Sequence, residues 1–137
     1  MGALTILDAG VLIGFVEDTD THHAAAVSAL ARARNRGDTF TIPAPAYAEC
    51  LVQPYRQDAG AAAALDAFID AFPIGVEPIS RQIAAEAARL RARRSGLRLP
   101  DALVVATAIV LRSERILTTD RRWRSAEVGV PIEIVGD

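Results

Sequence analysis

Short apolar runs rich in strand-forming residues recur along the chain, separated by longer amphipathic or alanine-rich segments. Turn residues bound these runs, as Asp8 and Gly10 do after the first one. The pattern predicts strands at residues 3–7, 39–43, 74–79, 115–120 and 131–135.

The segments between the runs carry helical signals. Thr21 and Ser80 are predicted N-caps, and Pro54 is expected to end or kink a helix. A stripe of Ile83, Ala87 and Leu90 indicates one buried helix face. The predicted helices cover residues 11–16, 22–36, 44–57, 60–72, 81–94 and 98–111, with a helical turn at 121–126.

Strands that alternate with helices over the whole length predict an α/β fold. Such a chain forms a central parallel sheet with helices on both faces, a three-layer α/β/α arrangement. A length of 137 residues suits one domain, so we expect residues 1–137 to fold as a single unit. Ligands of these folds bind beyond the carboxyl ends of the strands.

Four acidic residues are predicted to meet at that edge. Asp8 follows the first strand and Asp120 ends the fourth. Asp101 opens the helix that leads into the fourth strand, and crossover helices run antiparallel to the strands that they join. Glu49 lies about one turn into the helix after the second strand, beside the small residue Ala48.

Each acid also has an ordinary structural interpretation. Asp8 and Asp120 suit turns, Asp101 suits the first turn of a helix after Pro100, and Glu49 suits a solvated helix surface. Together, however, unpaired like charges would repel one another unless a cation or shifted pKa values offset them. Carboxylate oxygens without histidine or cysteine favour Mg²⁺ or Mn²⁺.

Composition excludes several other classes of protein. All 15 basic residues are arginine, which excludes lysine-dependent Schiff-base chemistry and Walker-type phosphate loops. The apolar runs are too short to span a bilayer, and no export signal is visible, so we expect a cytoplasmic protein. The single cysteine, Cys50, is interpreted as a core residue.

Four motifs occur in the order and approximate spacing of a known family. They are ILDAGVLIGFV around Asp8, AYAEC around Glu49, LPDALVVATA around Asp101 and ILTTD before Asp120. Together they resemble the PIN-domain ribonucleases, especially the small VapC-type toxins of toxin–antitoxin pairs. Thr118 matches the hydroxyl residue that the family has two places before the last acid.

The resemblance implies an Mg²⁺- or Mn²⁺-dependent endoribonuclease whose metal ligands are Asp8, Glu49, Asp101 and Asp120. It also implies an RNA substrate, a cognate antitoxin that buries part of the site, and a homodimer formed through apolar helices such as residues 59–72.

One departure from the family pattern favours an alternative. Gly10 stands where the family often has serine, threonine or asparagine, so a side-chain hydroxyl or amide is missing there. Thr118 or Thr119 could compensate, although Thr119 is interpreted mainly as a residue that suits a strand end. The alternative is therefore a catalytically impaired PIN-like domain that binds RNA or a protein partner without cleavage.

Arginines border two of the candidate acids. Arg121, Arg122 and Arg124 follow Asp120 and are the candidate phosphate contacts. A second group precedes Asp101 and could equally be a solvated basic surface; its members on one helix face are Arg91, Arg94 and Arg98. Trp123 is expected to pack over the sheet rather than to stack on a base.

Overall fold

The strands of the computed structural model form one five-stranded parallel sheet. Across this sheet the third strand of the chain lies next to the second, followed by the first, the fourth and the fifth. Residues 2–125 and 128–136 are described, without the side chains of Ala59, Arg124 and Ser125. The strands are β1 (Leu4–Leu7), β2 (Thr39–Pro43), β3 (Ile74–Glu77), β4 (Arg115–Thr118) and β5 (Ile132–Ile134).

Six α-helices and one short 3₁₀ helix connect these strands, close to the predicted bounds. They are α1 (Ala9–Val16), α2 (His23–Asn35), α3 (Ala44–Gln57), α4 (Ala59–Ala71), α5 (Arg81–Arg93), α6 (Leu99–Val110) and the 3₁₀ helix Arg121–Ser125. Ser80 caps α5 as predicted, because its hydroxyl accepts a hydrogen bond from the backbone N–H of Ile83 at 3.1 Å.

Pro54 does not end its helix: it lies inside α3, which continues to Gln57, and the Pro54 carbonyl accepts a hydrogen bond from the Asp58 N–H at 3.1 Å. The kink at Pro54 stays a prediction. One other local prediction was wrong. Thr21 does not cap α2. The residue before that helix is His22, whose N–H donates to the Asp20 carboxylate at 2.8 Å.

The topology confirms the predicted three-layer fold. The chain steps from β1 outward through β2 to β3, then crosses back to β4 on the other side of β1. Because parallel crossovers are right-handed, the return crossover places α5 and α6 on the face opposite to the earlier helices. Ile6 and Ile116 at the sheet centre are fully buried.

No helix within residues 2–125 and 128–136 is both long and apolar enough to cross a membrane.

The two central strands bring their carboxyl ends together. Leu7 of β1 is paired with Leu117 of β4, and the N–H of Asp8 donates to the Leu117 carbonyl at 2.9 Å. The residues that follow these two strands are therefore held side by side at one edge of the sheet.

A buried carboxylate anchors the opposite end of β1. Asp38 precedes β2 and accepts hydrogen bonds from the Ala3 N–H at 3.2 Å, the Thr5 hydroxyl at 3.2 Å and Arg36 Nη2 at 3.1 Å. Burial opposes ionisation of Asp38, but these donors outweigh it and lower its pKa. The Asp38 carboxylate thus links the start of β1 to the start of β2.

We expect the substitution Asp38→Asn to lower the free energy of unfolding by about 2 kcal/mol near neutral pH, because the donors lose a charged acceptor. Since the pKa of Asp38 is lowered by folding, its contribution is present above the ordinary value of 3.8 and is lost as pH falls through the folded-state value. Urea unfolding over a pH series should show that the difference in free energy of unfolding between the wild type and Asp38→Asn becomes smaller in acid. The exposed control Asp18→Asn should unfold like the wild type at every pH. A difference for Asp38→Asn that is constant with pH would contradict this account.

Candidate active site

Both carboxylate oxygens of Asp8 accept hydrogen bonds. It is the N-cap of α1, where its Oδ1 accepts from the Ala9 N–H at 2.9 Å. Its Oδ2 accepts from the Thr118 hydroxyl at 2.8 Å. Both oxygens are therefore oriented by neighbouring donors, one from each side of the β1–β4 pair.

Thr118 links two of the acids through one hydroxyl. Its side chain is fully buried, and its Oγ1 donates to Asp8 and accepts from the Asp120 N–H at 3.1 Å. A hydroxyl can do both at once, whereas an apolar side chain of similar shape can do neither. Thr118 therefore fixes the orientation of Asp8 and the path of the chain into Asp120.

The helices bring the other two acids to the same edge. Asp101 lies in the first turn of α6, and Glu49 lies on α3 with its side chain exposed. The proximity is visible in their electrostatics: Asp101 and Asp120 both act on Asp8, and Asp8 and Asp101 both act on Glu49. The structure thus brings all four sequence-predicted acids into one electrostatic neighbourhood.

The pKa shifts divide the acids into two kinds. Burial raises the pKa of Asp8, with a further contribution from Asp101 and Asp120, and the hydrogen bonds from Thr118 and Ala9 offset only part of this. Burial and then the charges of Asp8 and Asp101 raise the pKa of Glu49. The pKa of Asp120 is lowered, chiefly by its hydrogen bonds from Arg122.

Two arginines supply positive charge to the site. Arg122 chelates the Asp120 carboxylate, with nitrogen–oxygen distances of 2.6 to 3.1 Å, and the Arg98 Nε lies 3.3 Å from Asp101 Oδ2. Sequence reasoning placed both arginines near the acids but did not pair them. The spacing of three residues in RLPD, which suits an ion pair on a helix, was the available signal for Arg98.

The four candidate ligands are of the type that binds a hard divalent cation, although the described side chains do not form a closed metal site. Within residues 2–125 and 128–136, no three acidic, histidine or cysteine side chains lie close enough together to hold a metal ion as they stand. The four candidate ligands offer only carboxylate oxygens. Burial is the main cause of the raised pKa values of Asp8 and Glu49, and the negative charge of neighbouring acids contributes to both. A divalent cation would offset that charge, so the residues fit the group.

Thr119 fills the space beside Gly10. A Cβ built on Gly10 would stand 2.1 Å from the Thr119 Oγ1. The absence of a side chain at position 10 is therefore matched by a hydroxyl that enters from the loop after β4. Thr119 directly follows the last residue of β4. The main interpretation of Thr119, as a residue that suits a strand end, did not include this contact with Gly10.

The remaining candidates have simpler environments. Trp123 is 5 % exposed and packs in the core, as expected. The side chain of Arg124, a candidate phosphate contact, lies outside the described part of the chain. Burial raises the pKa of the Cys50 thiol to about 12, and its Sγ donates to the Ala9 carbonyl, which agrees with a core role.

A large groove adjoins the acids and was not predicted. It has a volume of about 810 Å³ and runs between α1, α3 and α4, and Glu49 is one of its lining residues. We call it the apolar groove; its lining includes Ile13, Phe15, Val16, Ala64, Leu65 and Phe68. The alternation of alanine with larger apolar residues in α4 was its only sequence signal.

We expect Asp8→Asn to raise the free energy of unfolding of the metal-free protein near neutral pH. Because folding raises the pKa of Asp8, its contribution to stability is present below the ordinary value of 3.8 and is lost as pH rises through the folded-state value. The advantage of the variant should therefore disappear in acid. Urea unfolding in EDTA measures this, with Asp18→Asn as an exposed control; a destabilised variant at neutral pH would be the contrary result.

Comparison with known proteins places this geometry in a family. The chain matches the PIN domain over residues 5–128. Among curated proteins, none is significantly similar in sequence. Three solved structures share its fold at low sequence identity.

The first is VapBC2 from Rickettsia felis bound to a DNA fragment from its promoter, with a TM-score of 0.72 and 15% identity over 96% of this chain and 98% of that one. The second is VapC20 from Mycobacterium tuberculosis, a toxin that cleaves the sarcin–ricin loop, with a TM-score of 0.67 and 15% identity over 82% and 86% of the two chains. The third is a toxin–antitoxin complex from Klebsiella pneumoniae, with a TM-score of 0.65 and 22% identity over 94% and 95%.

The four acids therefore lie at the sheet edge of a fold that these toxins share. The match to the family over residues 5–128 spans β1 to the end of the 3₁₀ helix and includes every one of those acids. The chain belongs to the PIN-domain family.

Proposed function

We propose that the chain is the toxin of a toxin–antitoxin pair and acts as an Mg²⁺- or Mn²⁺-dependent endoribonuclease. The observation that carries this proposal is the gathering of Asp8, Glu49, Asp101 and Asp120 at the carboxyl edge of the sheet. Membership of the PIN-domain family and the fold shared with known toxins support it.

Asp8, Glu49, Asp101 and Asp120 would hold the cation. When bound, it would lower the pKa of a water molecule and offset charge that develops on the phosphate. Thr118 orients the Asp8 carboxylate and holds the backbone at Asp120, so both residues are kept at the same edge of the sheet. Glu49, whose side chain is exposed, would orient the attacking water.

The arginines next to the acids would bind the substrate. Arg122 has an exposed side chain, and Arg121 and Arg124 belong to the same 3₁₀ helix. An RNA phosphate brings negative charge to an acidic site, so nearby guanidinium groups are needed to offset the repulsion. We assign RNA binding beside Asp120 to this arginine group.

Cleavage of a mixed, structured RNA pool tests the proposal directly. We expect cutting with Mg²⁺ or Mn²⁺, none in EDTA, and a loss of about 100-fold or more in Asp8→Asn and Asp101→Asn, because each change removes a charged ligand. Glu114→Gln, exposed at the opposite end of β4, is the matched control and should cut like the wild type.

The alternative is a domain that binds RNA or a protein without cutting it. Gly10 favours this alternative, since no side chain there can position water or phosphate. A folded wild-type protein that binds RNA but cuts nothing with either metal would establish it. Activity that is lost in Thr119→Ala and retained in Thr118→Ser would instead show that the Thr119 hydroxyl serves in place of residue 10.

We also propose that the apolar groove binds the antitoxin. An amphipathic helix that lays its apolar face into a groove is a common mode of recognition, and this groove offers aromatic and aliphatic walls from two helices. Since Glu49 lines the groove, a bound segment would contact one of the four acids and cover part of the site.

Two neighbouring alanines of α4 test this assignment. Both Ala63 and Ala64 are exposed, but only Ala64 lines the groove. We expect Ala64→Glu to weaken binding of the antitoxin, taken as the product of the adjacent reading frame, about 10-fold or more, because a charge is desolvated in the interface. Ala63→Glu should bind like the wild type in a calorimetric titration; equal effects of the two would reject the groove as the docking site.

The homodimer through residues 59–72 stays a prediction. Leu65 and Ile69 of that helix are buried within the chain itself, whereas Val52 and Tyr55 on α3 are 46% and 67% exposed.

A further inference from the structure

A second, smaller groove is lined by Asp101 rather than by Glu49. It has a volume of about 370 Å³ and runs between the loop after α5, the start of α6 and the 3₁₀ helix, with Asp101 in its wall. We call it the cationic groove. This volume is within the range of about 300 to 1,000 Å³ that small-molecule sites occupy.

The floor of the cationic groove is apolar. It is formed by the half-buried Leu97 together with Val105, Trp123 and Val128, which are almost fully buried and each present only a small area to the groove. Such a surface favours a flat, weakly hydrated group over an inorganic ion. The floor therefore suits a nucleic-acid base better than a bare phosphate.

The rim is positively charged and comes from two distant parts of the sequence. Arg94 and Arg98 reach it from the loop before α6, and Arg122 reaches it from the 3₁₀ helix. Arg98 forms an ion pair with Asp101, and its charge acts to lower the pKa of Glu49 and of Asp120. The charge of Asp101 contributes to the raised pKa of Arg122. Arg98 and Arg122 thus line the groove and also interact with the acids.

We infer that the cationic groove binds one unpaired nucleotide of the RNA, adjacent to the phosphate that is cut. The base would lie on the apolar floor, and its phosphate would contact Arg98 and Arg122 at the rim. This inference rests on the proposed ribonuclease function, because it assumes that RNA reaches the acids.

Arg98 and Arg122 can contact a phosphate even though each forms an ion pair with one of the acids. The side chains of Arg98 and Arg122 are 61% and 67% exposed, so their ion pairs with Asp101 and Asp120 are weakly held. A cation bound by those carboxylates would compete for the same oxygens, and a phosphate could then replace them as the arginine partner.

The contrast between the two grooves favours RNA over a peptide as the occupant. The apolar groove has aromatic walls and is more than twice as large, which suits a helix. The cationic groove combines three guanidinium groups with a small apolar floor, which suits stacking or packing of a single base beside its phosphate.

Binding of a short single-stranded RNA oligonucleotide tests the inference without cleavage. The titration uses Ca²⁺ in place of Mg²⁺ and follows the fluorescence of Trp123, the one tryptophan in the chain. We expect the oligonucleotide to change this fluorescence, and we expect Arg98→Ala and Arg122→Ala each to weaken its affinity about 10-fold.

Gly96 provides a test that leaves the arginines intact. It lines the groove, and a Cβ added to it meets no other atom within 4 Å, so Gly96→Phe can be built without a clash at its Cβ. We expect this variant to weaken binding as much as the arginine variants and to reduce the fluorescence change. Arg81→Ala, exposed at the far end of α5, is the matched control and should bind like the wild type.

Different outcomes separate this inference from the proposed function. If the wild type cuts RNA but the variants at Gly96, Arg98 and Arg122 bind the oligonucleotide normally, the groove does not hold a nucleotide and the ribonuclease proposal stands. If those variants lose affinity for RNA while the wild type cuts nothing, the groove is an RNA site in a protein that does not cleave. Variants that bind RNA normally but lose affinity for the antitoxin would overturn the inference in favour of a protein contact.

Discussion

The constraint on which the site depends is the repulsion among four carboxylates at one edge of a parallel sheet. Pairing of β1 with β4 places the chain after Leu7 beside the chain after Leu117, so Asp8 and Asp120 cannot separate without breaking the central strands. The fully buried Thr118 hydroxyl then holds both segments. The stability of the sheet is what forces these charges to remain neighbours.

The fold offsets this repulsion unevenly. Asp120 and Asp101 each have an arginine, whereas Asp8 is oriented by uncharged donors and keeps a raised pKa. The ion pairs therefore fall on Asp101 and Asp120, whereas burial and the charges of neighbouring acids raise the pKa of Asp8 and of Glu49. A cation bound among these carboxylates would offset their mutual repulsion.

The sequence predicts the sheet edge well and the side-chain pairing poorly. Strand ends and helix starts are local signals, so Asp8, Asp101 and Asp120 could be assigned to one edge once the fold class was clear. The contact of Thr119 with Gly10 joins residues far apart in the chain, and its geometry depends on how a loop leaves β4. At Pro54 the local signal allowed either an end or a kink of the helix, and the structure shows that α3 continues past it.

The two grooves contain different acids. Glu49 lines the apolar groove and Asp101 lines the cationic groove, so one acid adjoins a surface suited to a helix and another adjoins a surface suited to a nucleotide. Under the proposed function, a partner that fills the apolar groove need not displace RNA from the cationic groove in order to stop cleavage. It would only have to bury Glu49, because burying that charge without a counter-ion favours its protonated form and removes one oxygen ligand from the site.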